Sequence, residues 1–204
     1  MKPFDQLADE ASIEQTIAAL AVNQITAEVV DTAAEARTKF FELLPEGASV
    51  MDMTSETLRQ AGIAEDLHTS GKYKVVKDEL KTLDREKDNR RMKELGAAPE
   101  WAVGSTHAIT EDGHLVWASQ TGSQLPAYAY GADHIILVAS TKKIVANIEE
   151  GMQRLREYSL PLEAARAKIA YGAAGSAINR ILIINAELTP GRIHLILVKE
   201  DLGF

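Results

Sequence analysis

The sequence predicts an α/β domain with a mixed sheet and helices at its N-terminal side. Three observations carry the prediction. Apolar residues recur at helical spacing over residues 5–43; short bounded apolar runs at residues 48–53, 134–139 and 181–184 read as strands; and strand, helix and strand follow one another through the second half.

The elements follow in order. Ile13, Ile17, Leu20 and Val22, then Ile25, Val29 and Val30, then Phe40, Phe41 and Leu44 predict one or two helices over residues 5–43, ended by Pro45 and Gly47. Residues 48–53 read as a strand, after which Thr54 or Ser55 can cap a helix reaching Gly62. Residues 72–93 are dense in opposite charges three or four positions apart, such as Glu86 with Arg90, the pattern of an exposed, solvated helix. From Trp101 the period changes. Residues 101–109 and 115–119 read as strands, joined through Glu111-Asp112-Gly113-His114 as a hairpin, because Asp-Gly accepts positive φ in a tight turn. Residues 134–139 have the continuous apolar character of a buried parallel strand. Ser140 and Thr141 are expected to cap a helix from Lys142 to about Tyr158, interrupted at Pro161 before a second helix over residues 162–170. Thr189-Pro190-Gly191-Arg192 suits a type II turn leading into a last strand at residues 194–198.

Composition narrows the partners. The chain has 204 residues, 46% hydrophobic and 25% charged, enough to bury one substantial core. Net charge is −8, concentrated in residues 1–100, which argues against nucleic acid because phosphate binding needs a basic surface. Cysteine is absent, so the chain holds no thiolate metal site, iron–sulfur cluster or disulfide of its own. No stretch reaches the roughly 18 apolar residues of a membrane span, and the opening residues lack the apolar run of a signal peptide. A cytoplasmic protein is the expectation.

Ligands of open α/β sheets bind beyond the carboxyl ends of parallel strands. Three junctions fit: Asp52-Met53-Thr54-Ser55, Thr121-Gly122-Ser123-Gln124 and Ser140-Thr141-Lys142-Lys143. Gly122 lets a ligand approach the backbone, Ser123 and Gln124 add donors, and the third junction offers hydroxyls, two ammonium groups and free helix N–H groups for a phosphate or carboxylate. Thr121, Gly122, Ser123, Gln124, Thr141, Lys142 and Lys143 are therefore the candidate ligand-binding residues, with an anionic small molecule as candidate partner. The histidines, His107, His114, His134 and His194, show no helical metal spacing and read as satisfied or surface groups, so no metal is expected. No phosphate-binding glycine loop or nucleophile elbow is present, and no catalytic residue is assigned.

Several ordered blocks resemble one family. Residues 104–113 (GSTHAITEDG), 118–126 (ASQTGSQLP) and 131–133 (GAD), with Lys143-Ile144-Val145, residues 154–163 and the ending from Pro190-Gly191-Arg192 to Gly203-Phe204, are similar to the LUD domain family, most of all its lactate-utilisation protein C type. The resemblance implies a three-layer α/β/α sandwich with a mostly parallel sheet, similar to the ribose-phosphate isomerase and CoA-transferase-like fold. It divides the chain into an N-terminal helical region, residues 1–47, packed on the same domain, and a LUD-like α/β domain, residues 48–204. It further implies an accessory or ligand-binding subunit in the oxidation of lactate to pyruvate, beside partner subunits that carry the iron–sulfur clusters, with no cofactor in this chain. The alternative is a stand-alone enzyme or binding module for a phosphorylated or CoA-linked small molecule.

Overall fold

The structure, a computed structural model, describes residues 3–172 and 175–204. α1 (Glu10–Val22) is capped by Asp9, whose carboxylate accepts the Ser12 N–H. β1 (Thr26–Val30) follows, then α2 (Ala33–Leu43), opened by a reciprocal capping box between Thr32 and Glu35. β2 (Ser49–Asp52) leads into α3 (Glu56–Gln60), capped by Ser55, and α4 (Ile63–Thr69). The charged stretch contains β3 (Lys74–Val75), α5 (Val76–Thr82) and α6 (Asn89–Ala97). β4 (Trp101–Gly104), β5 (Ala108–Thr110) and β6 (Leu115–Ser119) precede a π-helical turn at Ala127–Gly131. β7 (His134–Ser140) and β8 (Ile144–Val145) are separated by a single 3₁₀ turn. α7 (Ile148–Arg154) runs through a π turn into α8 (Leu160–Tyr171), and β9 (Arg180–Ile184) and β10 (Ile193–Val198) complete the chain.

Six strands form a parallel sheet in the order β1-β10-β7-β4-β2-β3, flanked by helices, as expected of an α/β fold. Its strands alternate two buried sets of side chains. Val50, Val103, Ile136, Val138, Ile196 and Val198 meet Ala36 and Phe40 of α2, Leu58 of α3, and Ile63 and Leu67 of α4. The opposite set, with Ala102, Ile135, Leu137, Leu195 and Leu197, meets Ile13 and Leu20 of α1 and the inner residues of a second sheet. That sheet, β8-β5-β6-β9, is mixed, and α7 and its π turn cover its far side through Val116, Val145 and Leu155. A small sheet thus adds a layer to the expected sandwich.

Five local expectations change. Residues 26–30 form a strand between α1 and α2: this β-branched run pairs in register with β10 and extends the main sheet, so tertiary pairing outweighs its helical spacing. Residues 101–109 are two strands in different sheets, broken at Ser105-Thr106-His107. The charged run is two short helices, with Arg90 paired to Glu94 at 2.7 Å. The helix expected from Lys142 begins only at Ile148: Ile144 and Val145 pair with Ile109 and Thr110, and Asn147 supplies the cap by accepting the Glu150 N–H at 3.0 Å. Pro161 sits in the first turn of α8, directly after the π turn at Leu155–Ser159, and the chain stays helical across it. The Thr189–Arg192 turn forms as expected, with Arg192 N–H donating to Thr189 O at 3.1 Å.

Candidate functional site

A cavity of about 310 Å³ opens beyond the carboxyl ends of β2 and β4, between the main sheet, the end of β6 and α8. Neighbouring parallel strands end here, the position at which α/β sheets take ligands. Its wall is rich in hydroxyls, from Thr54, Ser55 and Thr57 after β2, Ser105 and Thr106 after β4, Ser119 at the end of β6, and Ser159.

Lys143 is the chemically unusual group of this wall. The 3₁₀ turn after β7 delivers it, and its side chain is 2% exposed. Nζ lies 3.0 Å from Ser105 Oγ, 3.0 Å from Thr106 O and 3.2 Å from Thr57 Oγ1. All three are neutral oxygens. Burial, reinforced by the nearby Arg154 and Lys142 cations, holds this amine well below the usual lysine range.

Arg154, fully buried at the end of α7, stands behind the wall. Nη1 donates to His107 O and, at 2.9 Å, to Ser159 Oγ, while the guanidinium faces the Tyr158 ring at 5.0 Å. Nε and Nη2 have no hydrogen-bond partner among the described residues. Burial lowers Arg154 to about 10, so it remains a cation at neutral pH. His107 stays neutral, pushed down to about 3 by burial and then by Lys143 and Arg154. Its Nδ1 accepts the Ala118 N–H at 3.4 Å, which leaves the ring proton on Nε2.

The acids of the wall are already paired. Arg59 Nε donates to Glu56 at 2.9 Å, and Arg166 Nε to Glu163 at 2.7 Å. The deep basic groups, Lys143 and Arg154, have no carboxylate partner among the described residues. Tyr128, stacked on Trp117 at 5.0 Å, forms an inner wall, and burial raises its hydroxyl far above neutral pH, so it stays protonated. Gly104 makes room for it: a Cβ there would fall 2.1 Å from the Tyr128 hydroxyl.

The candidate residues fall in different places. Thr121, Gln124 and Lys143 line the cavity, as do Met53, Thr54 and Ser55 of the first junction. Gly122 and Ser123 lie beside it. The place of a Gly122 side chain is filled by Arg180, whose Cδ would stand 2.5 Å from a Cβ, so this glycine serves the Arg180 packing. Ser123 Oγ accepts from the Thr121 hydroxyl at 3.0 Å. Thr141 is buried with its hydroxyl unpartnered, and Lys142 pairs with Asp201 and contacts Tyr158 Oη at 3.4 Å. The free helix N–H groups expected at this junction are not there, because the turn is a single 3₁₀ turn and Ser140 Oγ accepts the Lys142 N–H at 3.3 Å.

Thr57, Ser105, Thr106 and Arg154 were not singled out from the sequence. Ser105 and Thr106 interrupt an apolar run at Gly104, a break that marks a strand end, whereas nothing local distinguishes Arg154 from a solvated helical arginine. Among the described residues no group of three His, Asp or Glu side chains could hold a metal ion, and no helix is long and apolar enough to cross a membrane.

Comparison with known proteins places this architecture. A DUF162-family protein from Deinococcus radiodurans has a similar structure, with 12% identity, a TM-score of 0.57, and coverage of 95% of this chain and 99% of that one. Ribose 5-phosphate isomerase from Plasmodium falciparum aligns over 63% of this chain and 66% of its own, at 14% identity and a TM-score of 0.35. No curated protein sequence matches the chain. The LUD domain model matches residues 13–198, nearly the whole of the fold described above, and the chain belongs to the LUD domain family.

Proposed function

We propose that this chain is a ligand-binding subunit serving the oxidation of lactate to pyruvate in the cytoplasm, and that its cavity takes the small 2-hydroxy- or 2-oxocarboxylate itself. The single observation that carries the reading is the presence of two buried basic groups, Lys143 and Arg154, behind a hydroxyl-rich wall with no carboxylate partner among the described residues. A buried cation is costly without a counter-charge, and an entering carboxylate supplies one. The hydroxyls of Thr57 and Ser105 can donate or accept, which suits a ligand carrying hydroxyl or carbonyl oxygen beside its carboxylate. Membership of the LUD domain family supports the link to lactate utilisation. With no cysteine in its sequence, the chain would rely on partner subunits for iron–sulfur clusters.

Size favours this ligand class over the alternative of a CoA-linked one. About 310 Å³ is at the lower end of the roughly 300–1,000 Å³ of small-molecule pockets, enough for a compact acid or sugar phosphate but not for a CoA ester. Thermal-shift measurements with lactate, pyruvate, ribose 5-phosphate, nucleotides and a CoA ester distinguish these arms. A ligand at a hundredfold over its Kd adds about 2.7 kcal/mol. Stabilisation by lactate or pyruvate is expected; stabilisation by the phosphate or CoA compounds alone would replace this reading with the alternative. Co-purification with an iron–sulfur protein tests the subunit assignment, and a deletion that leaves growth on lactate unchanged, with no second copy present, refutes it.

A further inference from the structure

Lys142 and Lys143 are adjacent, both nearly fully buried, and oppositely equipped. Lys142 has a carboxylate partner, Asp201, and lies outside the cavity wall. Lys143 faces the cavity, and its Nζ contacts only two hydroxyls and a backbone carbonyl. A neutral amine can satisfy all three contacts, and no carboxylate among the described residues holds a proton on it. Thr106 O accepts an N–H in either state, while Ser105 and Thr57 can turn their O–H toward a lone pair as readily as accept from an ammonium. The nearest charges are cations, and these favour the neutral amine. A buried, unprotonated lysine in a cavity is a nucleophile toward carbonyl carbon.

We propose that the Lys143 amine captures the carbonyl carbon of a 2-oxo acid in this cavity as an imine. The inference rests on the reading of the cavity as a site for 2-hydroxy- and 2-oxocarboxylates. Nζ forms the C–N bond as the C=O π pair moves to oxygen, and an amine proton passes to that oxygen. The resulting carbinolamine loses its hydroxyl, which leaves as water with the remaining N–H proton while the nitrogen lone pair forms C=N. No electrons are gained or lost, and water returns the free amine and ketone. Arg154, which keeps its charge behind Ser159, provides the field for the ligand's carboxylate while Lys143 engages the carbonyl. A 2-hydroxy acid has no carbonyl and can bind only non-covalently, so the site would hold the oxidised member of a hydroxy acid/oxo acid pair more firmly than the reduced one.

The test is reductive trapping on the full-length protein. Pyruvate and cyanoborohydride are added at pH 7, the modified lysine is located by peptide mass mapping, and lactate binding is followed in parallel by calorimetry. An ordinary surface lysine is unprotonated in only about one molecule in 2,500 at this pH, so labelling at Lys143 is expected to exceed that at any other lysine by at least about tenfold. Lys142, equally buried but paired, should stay unlabelled. Labelling spread over exposed lysines, with Lys143 spared while lactate still binds, overturns the imine and leaves the ligand class standing. Absence of both lactate binding and the Lys143 adduct overturns the two together.

Discussion

The inner wall of the cavity depends on one close approach, and Gly104→Ala tests it. A Cβ at Gly104 would stand 2.1 Å from the Tyr128 hydroxyl oxygen, 3.2 Å from Met53 Cβ and 3.4 Å from Tyr128 Cζ. The first contact is shorter than ordinary packing by more than roughly 1 Å, while the other two need only small adjustments. Tyr128 is 1% exposed and stacked on the buried Trp117 ring at an interplanar angle of 25°, so it can retreat only toward the cavity and at the expense of that stacking. Overpacking of this kind costs about 1–3 kcal/mol. At about 2–4 °C per kcal/mol for a chain of this size, that becomes a fall in Tm of several degrees. Urea denaturation of the wild type, Gly104→Ala, Tyr128→Phe and the double variant isolates the clash. Tyr128→Phe removes the offending oxygen and leaves only the 3.2 and 3.4 Å contacts, so the alanine should cost less than about 1 kcal/mol in that background. An equal cost in both backgrounds would refute the steric argument.

Two further predictions concern the charged groups around the site. His107 is neutral in the folded protein down to about pH 3, whereas an unfolded histidine takes a proton near 6.5. Its contribution is therefore complete above about 6.5 and falls away as pH drops toward 3. His107→Asn keeps an acceptor for the Ala118 N–H but cannot titrate, so the loss of stability between pH 6.5 and 4, followed by urea melts, should be shallower by up to about 1.4 kcal/mol per pH unit; an unchanged slope contradicts the assignment. Arg192 donates to the Ala127, Tyr128 and Ala132 carbonyls at 3.1, 3.1 and 2.8 Å and pairs with Glu187 at 2.6 Å. Arg192→Met leaves those acceptors and a carboxylate unpaired and should cost about 3–5 kcal/mol in urea melts, with Glu187→Gln costing clearly less.

The sequence was most legible where one local signal determined the outcome. Residues 135–139 are apolar throughout because both faces of β7 are buried there, and Thr189-Pro190-Gly191-Arg192 contains its own turn chemistry. Strand β1 was hidden because Ile25, Val29 and Val30 fit a helical period as well as a pleated one, and only pairing with β10 decides between them. Ser140-Thr141 suit the cap of a long helix, yet they open only a single 3₁₀ turn, because the following Ile144-Val145 belongs to a sheet whose other strands lie far away in sequence. The candidate site shows the same division. Lys143, Thr121 and Gln124 could be proposed from strand ends, but that Lys143 meets Thr57 and Ser105, 86 and 38 positions away, is a property of the fold. Arg154 carries no local mark at all, because its burial follows from the packing of α7 against the small sheet.

The central claim is that a small carboxylate enters the cavity as counter-charge to Arg154 and as hydrogen-bond partner of the Lys143 amine. Calorimetric titration of lactate into the wild type and Lys143→Met, each first shown by circular dichroism to be folded, addresses it most directly. A hydrogen bond to a charged group is worth about 1.5–3 kcal/mol, so the variant should bind lactate roughly ten- to a hundredfold more weakly. Equal affinity in the two proteins, or no binding of lactate to the wild type, would contradict the account.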